Sequence, residues 1–469
     1  MIAQVQQWME RLFDLAVSRS PPGTQRERRS RSVVRGTAAA LVARAMGSLT
    51  GFITVPLTVR YLGAERYGAW MTISSLLVFL GFSDFGLASS LTNALGKAFG
   101  ENDRESARRY VTTTLLALCI VAVLLVLAGI TSAASIASFM FPTVDKALLD
   151  REIIPALIAA MLIFALNFPL LVTNRVLAAY QENATANLWI MASSVATLIG
   201  ILLVIVFRGG LTSLVLGSAG AGLIVNAVSS VWLYFWHKPW LAPGKSAADF
   251  QFARELFSTS WKFFIINAGW LVNSQTDNII ISHYLGPAQV TPYTVTFRLF
   301  AYSTLIQSLG FTSLWPAFTE AAARRDLGWI RGMFRKNLLW SSVFAFLIVT
   351  VLTIFGQLII RIWAGSTAVP SLSLVVWMAA WNLLLAAFFA PSCLLQATGH
   401  ITGLATYVTV TAVLNVALSI LFVHRFGTVG VIAGTVIATA LANYVPMILE
   451  VRKLLRTFER KWKTAQPHF

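Results

Sequence analysis

The sequence predicts an all-α polytopic membrane protein with twelve transmembrane helices in two six-helix bundles. Of its 469 residues, 57% are hydrophobic and only 12% are charged, which leaves too little polar surface for a water-soluble globule. The apolar residues fall in runs of about 20, the length of a helix that crosses about 30 Å of hydrocarbon. Similar motifs also recur about 223 residues apart, which predicts two related halves.

Twelve apolar runs are long enough to be spans. Each is predicted to be helical, because the bilayer interior offers no water to satisfy an open backbone and the runs are too long for barrel strands. We place the spans near residues 37–59, 68–93, 111–131, 153–173, 187–207, 212–236, 261–283, 291–317, 337–360, 372–395, 402–424 and 428–449.

The basic residues indicate the orientation of the spans. Of the 36 Lys and Arg residues, 27 lie in the tails and loops of one side, seven in the loops of the other side and two inside helices. Cytoplasmic loops carry the excess of Lys and Arg, so both termini are predicted to be cytoplasmic. The net charge of +17 therefore reflects membrane orientation, and no nucleic-acid partner is expected.

The longest polar connection between spans lies midway along the chain and is predicted to link the two bundles. The motif Tyr-Leu-Gly at residues 61–63 recurs at 284–286, and Arg-Gly-Gly at 208–210 is mirrored by Arg-Phe-Gly at 425–427. Six helices return the chain to its starting side, so the halves share one orientation and the substrate path should run between them. The predicted domains are a basic amphipathic N-terminal segment (1–36), a first bundle (37–236), a cytoplasmic linker (237–260), a second bundle (261–449) and a basic cytoplasmic tail (450–469).

The N-terminal segment carries apolar residues at helical spacing, followed by a group of arginines. This pattern is typical of a helix that lies on the membrane surface against anionic lipids. A disordered basic tail is the alternative interpretation.

Four charges fall inside predicted spans: Arg44, Asp84, Asp277 and Arg298. They form two pairs of similar depth, one in each half. A charge at the centre of a membrane helix costs about 2.5 to 3.5 kcal/mol or more when it faces lipid. Each of the four charged residues therefore requires an explanation. One interpretation is that each pair cancels its own desolvation and holds neighbouring helices together.

The other interpretation is a substrate cavity. Arg44 and Arg298 would attract an anion, because a guanidinium stays charged and grips phosphate oxygens with two donors, and Asp84 and Asp277 would be their counter-ions in the resting state. Further polar residues nearby suit sugar hydroxyls, although hydrogen bonds between helices also explain them. They are Asn273, Gln275, Asn278 and Gln307.

Signatures of an enzyme are weak. Gly244-Lys245-Ser246 ends like a phosphate-binding loop, but the first glycine of that motif is absent and no strand precedes it. The five histidines and two cysteines lack the spacing of metal ligands. We therefore expect no catalytic activity, no cofactor and no metal.

The sequence resembles a known family of membrane proteins. The run at residues 56–63, the Tyr67-Gly68 pair and Asp84-Phe85-Gly86 resemble the opening of bacterial polysaccharide flippases of the Wzx type. Asp277 and the 284–298 stretch resemble the start of that family's second half. These proteins belong to the multidrug/oligosaccharidyl-lipid/polysaccharide (MOP) exporter superfamily, and the likeness covers nearly the whole chain.

The resemblance implies a V-shaped cleft between two six-helix bundles, as in MATE-like members of the superfamily, lined by helices 1, 2, 7 and 8. It implies flipping of an undecaprenyl-pyrophosphate-linked oligosaccharide across the bacterial inner membrane by alternating access, for O-antigen, lipopolysaccharide or exopolysaccharide biosynthesis. Arg44 and Arg298 resemble the cationic cavity residues of lipid II flippases, which usually have two further helices. A polysaccharide polymerase and other assembly proteins are expected partners.

Several alternatives remain. A multidrug or cation antiporter of the same superfamily would share the fold, but a cationic substrate calls for a carboxylate without an arginine beside it. A lipid II-type flippase is a second alternative. A membrane glycosyltransferase would need a catalytic group of residues, and a scaffold or channel would not need buried charges. Coupling to H⁺ or Na⁺ through Asp84 or Asp277 is compatible with the sequence.

Overall fold

A computed structural model of the chain describes residues 25–81, 87–244, 269 and 271–464. Three predicted features lie wholly or partly outside this part: residues 1–24 of the N-terminal segment, Asp84, and residues 245–260 of the linker. Throughout the described residues every regular element is helical and no strand occurs, which confirms the predicted all-α class.

The N-terminal half contains seven principal helices. A π-helical turn (Leu149–Ile153) leads into the fourth, and another (Leu233–His237) extends the seventh. The helices are α1 (Gln25–Leu80), α2 (Leu87–Glu101), α3 (Arg104–Met140), α4 (Ile154–Leu170), α5 (Val172–Ala179), α6 (Asn183–Val206) and α7 (Leu211–Trp232).

The C-terminal half continues with seven more. Polar residues begin two of these helices, since Asp326 accepts the backbone N–H of Trp329 at 2.9 Å and Ser371 accepts that of Leu374 at 3.3 Å. A π-helical turn (Thr439–Tyr444) joins the last two. The helices are α8 (271–285), α9 (Pro287–Ala323), α10 (Leu327–Trp363), α11 (Leu372–Ala397), α12 (Ile401–Phe426), α13 (Thr428–Ala438) and α14 (Val445–Thr464).

Nine helical segments in the described part are long and apolar enough to cross a membrane. This supports a multi-pass membrane protein but does not confirm the predicted count of twelve. One reason lies in α1, which continues through the boundary between the first two predicted spans and so counts once. Another is α8, whose described residues begin only at position 271.

The backbone forms two compact units. The first comprises Met1–Thr54, Leu80–Ala137 and Ala147–Phe264, and the second comprises Val55–Phe79, Ser138–Lys146 and Ile265–Phe469. The second part of α1 thus packs with the C-terminal helices, whereas the sequence placed it in the first bundle. The predicted domain boundaries stay a prediction.

The two halves share backbone details at the positions where their motifs match. Gly63 has φ 74° and ψ 174°, and Gly286 has φ 88° and ψ 157°. Both glycines interrupt a helix in a conformation that side chains with a Cβ rarely adopt. A Cβ at Gly217 would lie 2.9 Å from the Gly200 carbonyl oxygen, and one at Gly434 would lie 2.8 Å from the Ser419 nitrogen. Two helix pairs therefore approach closely, α6 with α7 and α12 with α13.

Candidate functional site

The candidate site lies in the second unit, on the two helices that meet at Gly286. The turn between α8 and α9 packs against the second part of α1, where the Thr291 hydroxyl donates to the Ala64 carbonyl at 2.5 Å. A Cβ at Gly68 would lie 1.7 Å from the Pro287 carbonyl oxygen, so only glycine permits this approach. The contact holds α8 and α9 beside α1.

Asp277 on α8 is 6% exposed and is held by hydroxyl groups. The Tyr293 hydroxyl donates to its carboxylate, and the Thr435 hydroxyl lies 3.2 Å from its Oδ2 and 3.0 Å from Oδ1 of Asn415. Ser419 donates to the same Asn415 oxygen at 3.0 Å. The carboxylate thus belongs to a network of oxygen and amide groups that connects four helices.

The expected ion pair between Asp277 and Arg298 is not formed, since no salt bridge of the described residues contains either one. The physical reason is that neutral donors already occupy the carboxylate. The guanidinium instead meets α1, where its Nη2 lies 3.3 Å from Sδ of Met71. A thioether is only a weak acceptor, so this contact leaves most of the donor capacity of Arg298 unused.

Arg298 lines a cavity of about 220 Å³. The predicted residues Gln275, Asp277 and Asn278 line the same cavity, together with Ser74 and Ser75 of α1. The arrangement can bind an anion at the guanidinium and hydroxyl groups at the surrounding amides and hydroxyls.

Two of the predicted polar residues also hold helices together. Asn278 donates to Ser75 at 2.9 Å and accepts from Thr294 at 3.1 Å, and Asn273 accepts from Asn415 at 2.8 Å. These contacts fit the structural interpretation of Asn273 and Asn278.

A second cavity, of about 110 Å³, is also lined by Asp277 and contains Asn273. Four buried polar atoms on its lining residues have no hydrogen-bond partner among the described residues. They are Trp381 Nε1, Thr411 Oγ1, Thr439 Oγ1 and Asn443 Oδ1. Buried polar groups are usually satisfied, so this cavity is suited to water or to a small cation.

The sequence reasoning missed most of these residues. A signal existed, because Thr411, Asn415 and Ser419 follow one another at intervals of four along α12, and Thr435, Thr439 and Asn443 do so across α13 and the π-helical turn after it. Such spacing puts polar groups on one face of an apolar helix. Because these residues are uncharged, they stand out less in an apolar span than Asp277 and Arg298 do.

Three predicted residues, Arg44, Asp84 and Gln307, lie in the first unit or have side chains outside the described part. Arg44 lies on α1 in the first unit, where it is exposed and pairs with no described side chain. The side chain of Gln307 and the whole of Asp84 fall outside the described part. No group of three His, Cys, Asp or Glu residues in the described part could hold a metal ion.

Comparison with protein families gives a match over more than half of the chain. The model of the family described as "Polysaccharide biosynthesis protein" matches residues 33–322.

Two similar proteins carry the name "Putative O-antigen transporter". The one from Salmonella typhimurium is 23% identical over 301 residues, which are 62% of this chain and 66% of that protein. The one from Salmonella typhi is 22% identical over 399 residues, which are 84% of this chain and 89% of that protein.

The solved structures that share the fold include two transporters. A multidrug resistance MATE family transporter of the MOP superfamily, solved in an inward-facing conformation, superimposes with a TM-score of 0.70 at 15% identity, covering 88% of this chain and 99% of that one. A MOP superfamily transporter from Pyrococcus furiosus gives a TM-score of 0.64 at 14% identity, covering 92% and 96%. These likenesses confirm a MATE-like helical fold.

Proposed function

Because the chain belongs to the polysaccharide biosynthesis protein family, we propose that it flips an undecaprenyl-pyrophosphate-linked oligosaccharide across the bacterial inner membrane. The cargo moves from the cytoplasmic to the periplasmic leaflet for surface polysaccharide assembly, and both termini are cytoplasmic. One observation carries the proposal: Arg298, with no carboxylate partner among the described residues, lines a cavity that also contains several uncharged polar side chains, inside a membrane-embedded helical unit.

Moving a lipid-linked oligosaccharide across a bilayer requires such a cavity. Each sugar hydroxyl that enters hydrocarbon without a hydrogen-bond partner costs about 2 to 7 kcal/mol, and a pyrophosphate costs far more. Side chains that replace the water shell remove most of this cost. The polyprenyl tail needs no such protection, since it is as apolar as the lipid.

Arg298 binds the pyrophosphate in this proposal, with Arg44 as a second cation on the substrate path. Gln275 and Asn278 contact the first sugar. The family relation supports this assignment, as does a guanidinium that has no carboxylate partner among the described residues. Since a ligand shifts a conformational equilibrium only by its differential affinity, the diphosphate must bind one state of an alternating-access cycle more tightly.

Asp277 couples transport to an ion. Its carboxylate, the Asn415 amide oxygen and the hydroxyl of Thr435 form a set of oxygen groups that suits a proton or a hard cation such as Na⁺. Moving one charge across the membrane supplies about 2.3 kcal/mol per 100 mV. The buried carboxylate also favours the second candidate, a cation or multidrug antiporter, but Arg298 lines the same cavity as Asp277 and would repel a cationic cargo. A lipid II-type flippase would use the same cation for the same diphosphate.

A deletion strain tests the proposal. Complementation with Arg298→Ala should leave lipid-linked oligosaccharide on the cytoplasmic leaflet, whereas Arg298→Lys should retain part of the export. Arg425→Ala, at an exposed arginine outside the cavity, is the matched control and should complement fully. Full export by Arg298→Ala at normal protein levels would contradict the role of the guanidinium. Drug sensitivity without trapped oligosaccharide would favour the antiporter.

A further inference from the structure

A third cavity, of about 530 Å³, lies between the beginning of α12 and α14 in the second unit. It shares no lining residue with the two cavities around Asp277. Its lining includes Pro446, Leu449, Glu450 and Lys453 of α14, with His400 and Tyr407 at the beginning of α12.

The polarity of the cavity changes along α14. Pro446 and Leu449 line its apolar end, and Leu449 is 57% exposed, as expected for a side chain that faces lipid. Exposed cations begin at Arg452 and Lys453, so the membrane interface crosses the helix near residue 450. An apolar end on the membrane side and a charged end at the interface match the profile of a phospholipid.

Glu450 is the unusual residue of this cavity. The Tyr407 hydroxyl donates to its carboxylate, but its Oε2 is buried and has no hydrogen-bond partner among the described residues. The carboxylate sits against Gly403 of α12, where an added Cβ would lie 2.4 Å from Oε2. A buried carboxylate oxygen without a donor is costly, so the site calls for a ligand that brings a donor, above all a cationic one.

Lys453 supplies the opposite charge one turn further along the helix. Residues three apart on a helix lie on the same face, so the Glu450 and Lys453 side chains line the same cavity. Thr457, which lines the same end, adds a hydroxyl. One cavity thus carries both an anionic and a cationic side chain, which suits a zwitterionic headgroup.

We propose that this cavity binds a phospholipid whose headgroup carries a primary ammonium, of the phosphatidylethanolamine type. The ammonium donates to Glu450, and the phosphate accepts from Lys453. A quaternary ammonium has no N–H to donate, and an anionic headgroup would leave the Glu450 oxygen unsatisfied. The site is thus selective for an ammonium-bearing lipid, and the inference does not depend on the cargo of the transporter.

Calorimetric titration of the purified full-length protein in a non-ionic detergent tests the proposal. The probes are dihexanoyl phosphatidylethanolamine, phosphatidylcholine and phosphatidylglycerol, and inorganic phosphate. Loss of a charge-assisted hydrogen bond predicts at least about tenfold weaker binding of phosphatidylcholine than of phosphatidylethanolamine. Equal affinity for these two lipids, or tighter binding of phosphatidylglycerol or free phosphate, would overturn it.

Three variants separate the contributions. Glu450→Gln should abolish the preference for phosphatidylethanolamine, and Gly403→Ala should weaken that preference by displacing the carboxylate without changing the charge. Lys453→Gln should weaken both zwitterionic lipids alike. Arg452→Gln, at the neighbouring exposed cation that does not line the cavity, is the control and should bind as the wild type does. If folded Glu450→Gln protein still prefers phosphatidylethanolamine, the proposal is also overturned. If that variant does not fold, the relative affinity of the wild type for phosphatidylethanolamine and phosphatidylcholine decides.

Discussion

The buried carboxylate of Asp277 accepts a hydrogen bond from the Tyr293 hydroxyl on the neighbouring helix, so a neutral donor holds it. This relationship separates the two charges that the sequence had paired. Arg298 keeps its charge available to the cavity, while the carboxylate joins the network that reaches α12 and α13.

Removing the Tyr293 hydroxyl should destabilise the protein. Tyr293→Phe leaves a buried carboxylate with one donor fewer, which costs about 1 to 3 kcal/mol. The measurement is the thermal unfolding midpoint of the purified protein. Tyr67→Phe is the matched control, because the Tyr67 hydroxyl is buried in the same unit and meets no hydrogen-bond partner in the described part, so its loss should be neutral or stabilising. Equal unfolding midpoints for Tyr293→Phe and Tyr67→Phe would contradict a stabilising hydrogen bond from Tyr293 to Asp277.

Thr435 should be needed for ion dependence. Thr435→Val removes the hydroxyl that lies between Asp277 and Asn415 while keeping the shape of the side chain. If this cluster carries the coupling ion, transport by the variant should lose its response to a sodium or proton gradient. Thr435→Ser keeps the hydroxyl and should retain the response. A Thr435→Val protein with unchanged ion dependence would place the coupling elsewhere.

The close approach at Gly68 should tolerate no side chain. The Cβ of Gly68→Ala would overlap the Pro287 carbonyl oxygen, and such overpacking costs about 1 to 3 kcal/mol or more. Folded yield after detergent extraction is the readout. Gly332→Ala, where a Cβ would meet no atom within 4 Å, should instead be neutral or gain up to about 1 kcal/mol from the lower entropy of the unfolded chain. A Gly68→Ala protein of normal stability would show that this contact is loose.

The beginning of α3 should depend on pH. Hydrogen bonds from the Ser106 side chain and backbone hold the pKa of Asp103 below its ordinary value. Because the folded pKa lies below that of the unfolded chain, the stabilisation is present above the ordinary value and is lost as the pH falls through the folded value. Hydrogen exchange of the first turn of α3 should therefore lose protection in acid, and Asp103→Ala should lose it already at neutral pH. If Asp103→Ala and the wild type show equal protection at neutral pH and also at acid pH, this prediction is wrong.

The sequence predicted the helices well because membrane spans have a strong physical signal. Runs of about 20 apolar residues have no other stable arrangement in a bilayer, and the Tyr-Leu-Gly repeat marked two glycines whose backbones match. The number of spans was harder to predict, because α1 continues as one helix through the break at Gly63.

The candidate site was only partly predictable. Charges inside spans stand out in a sequence, so Asp277 and Arg298 were found, and Gln275 and Asn278 followed from their neighbourhood. Their partners were not found, because Tyr293 is 16 residues from Asp277 and Thr435 is 158 residues away. Only the packed helices reveal which donor reaches which acceptor.

Direct binding of cargo tests the central claim most closely. Purified wild type, Arg298→Ala and Arg298→Lys would be titrated with undecaprenyl-pyrophosphate-linked oligosaccharide and with undecaprenol as the uncharged control. The account predicts that Arg298→Ala binds the diphosphate lipid about ten- to a hundredfold more weakly, as the loss of charge-assisted hydrogen bonds implies, with Arg298→Lys in between and undecaprenol unaffected. Equal affinity of the wild type and Arg298→Ala for the diphosphate lipid would contradict it.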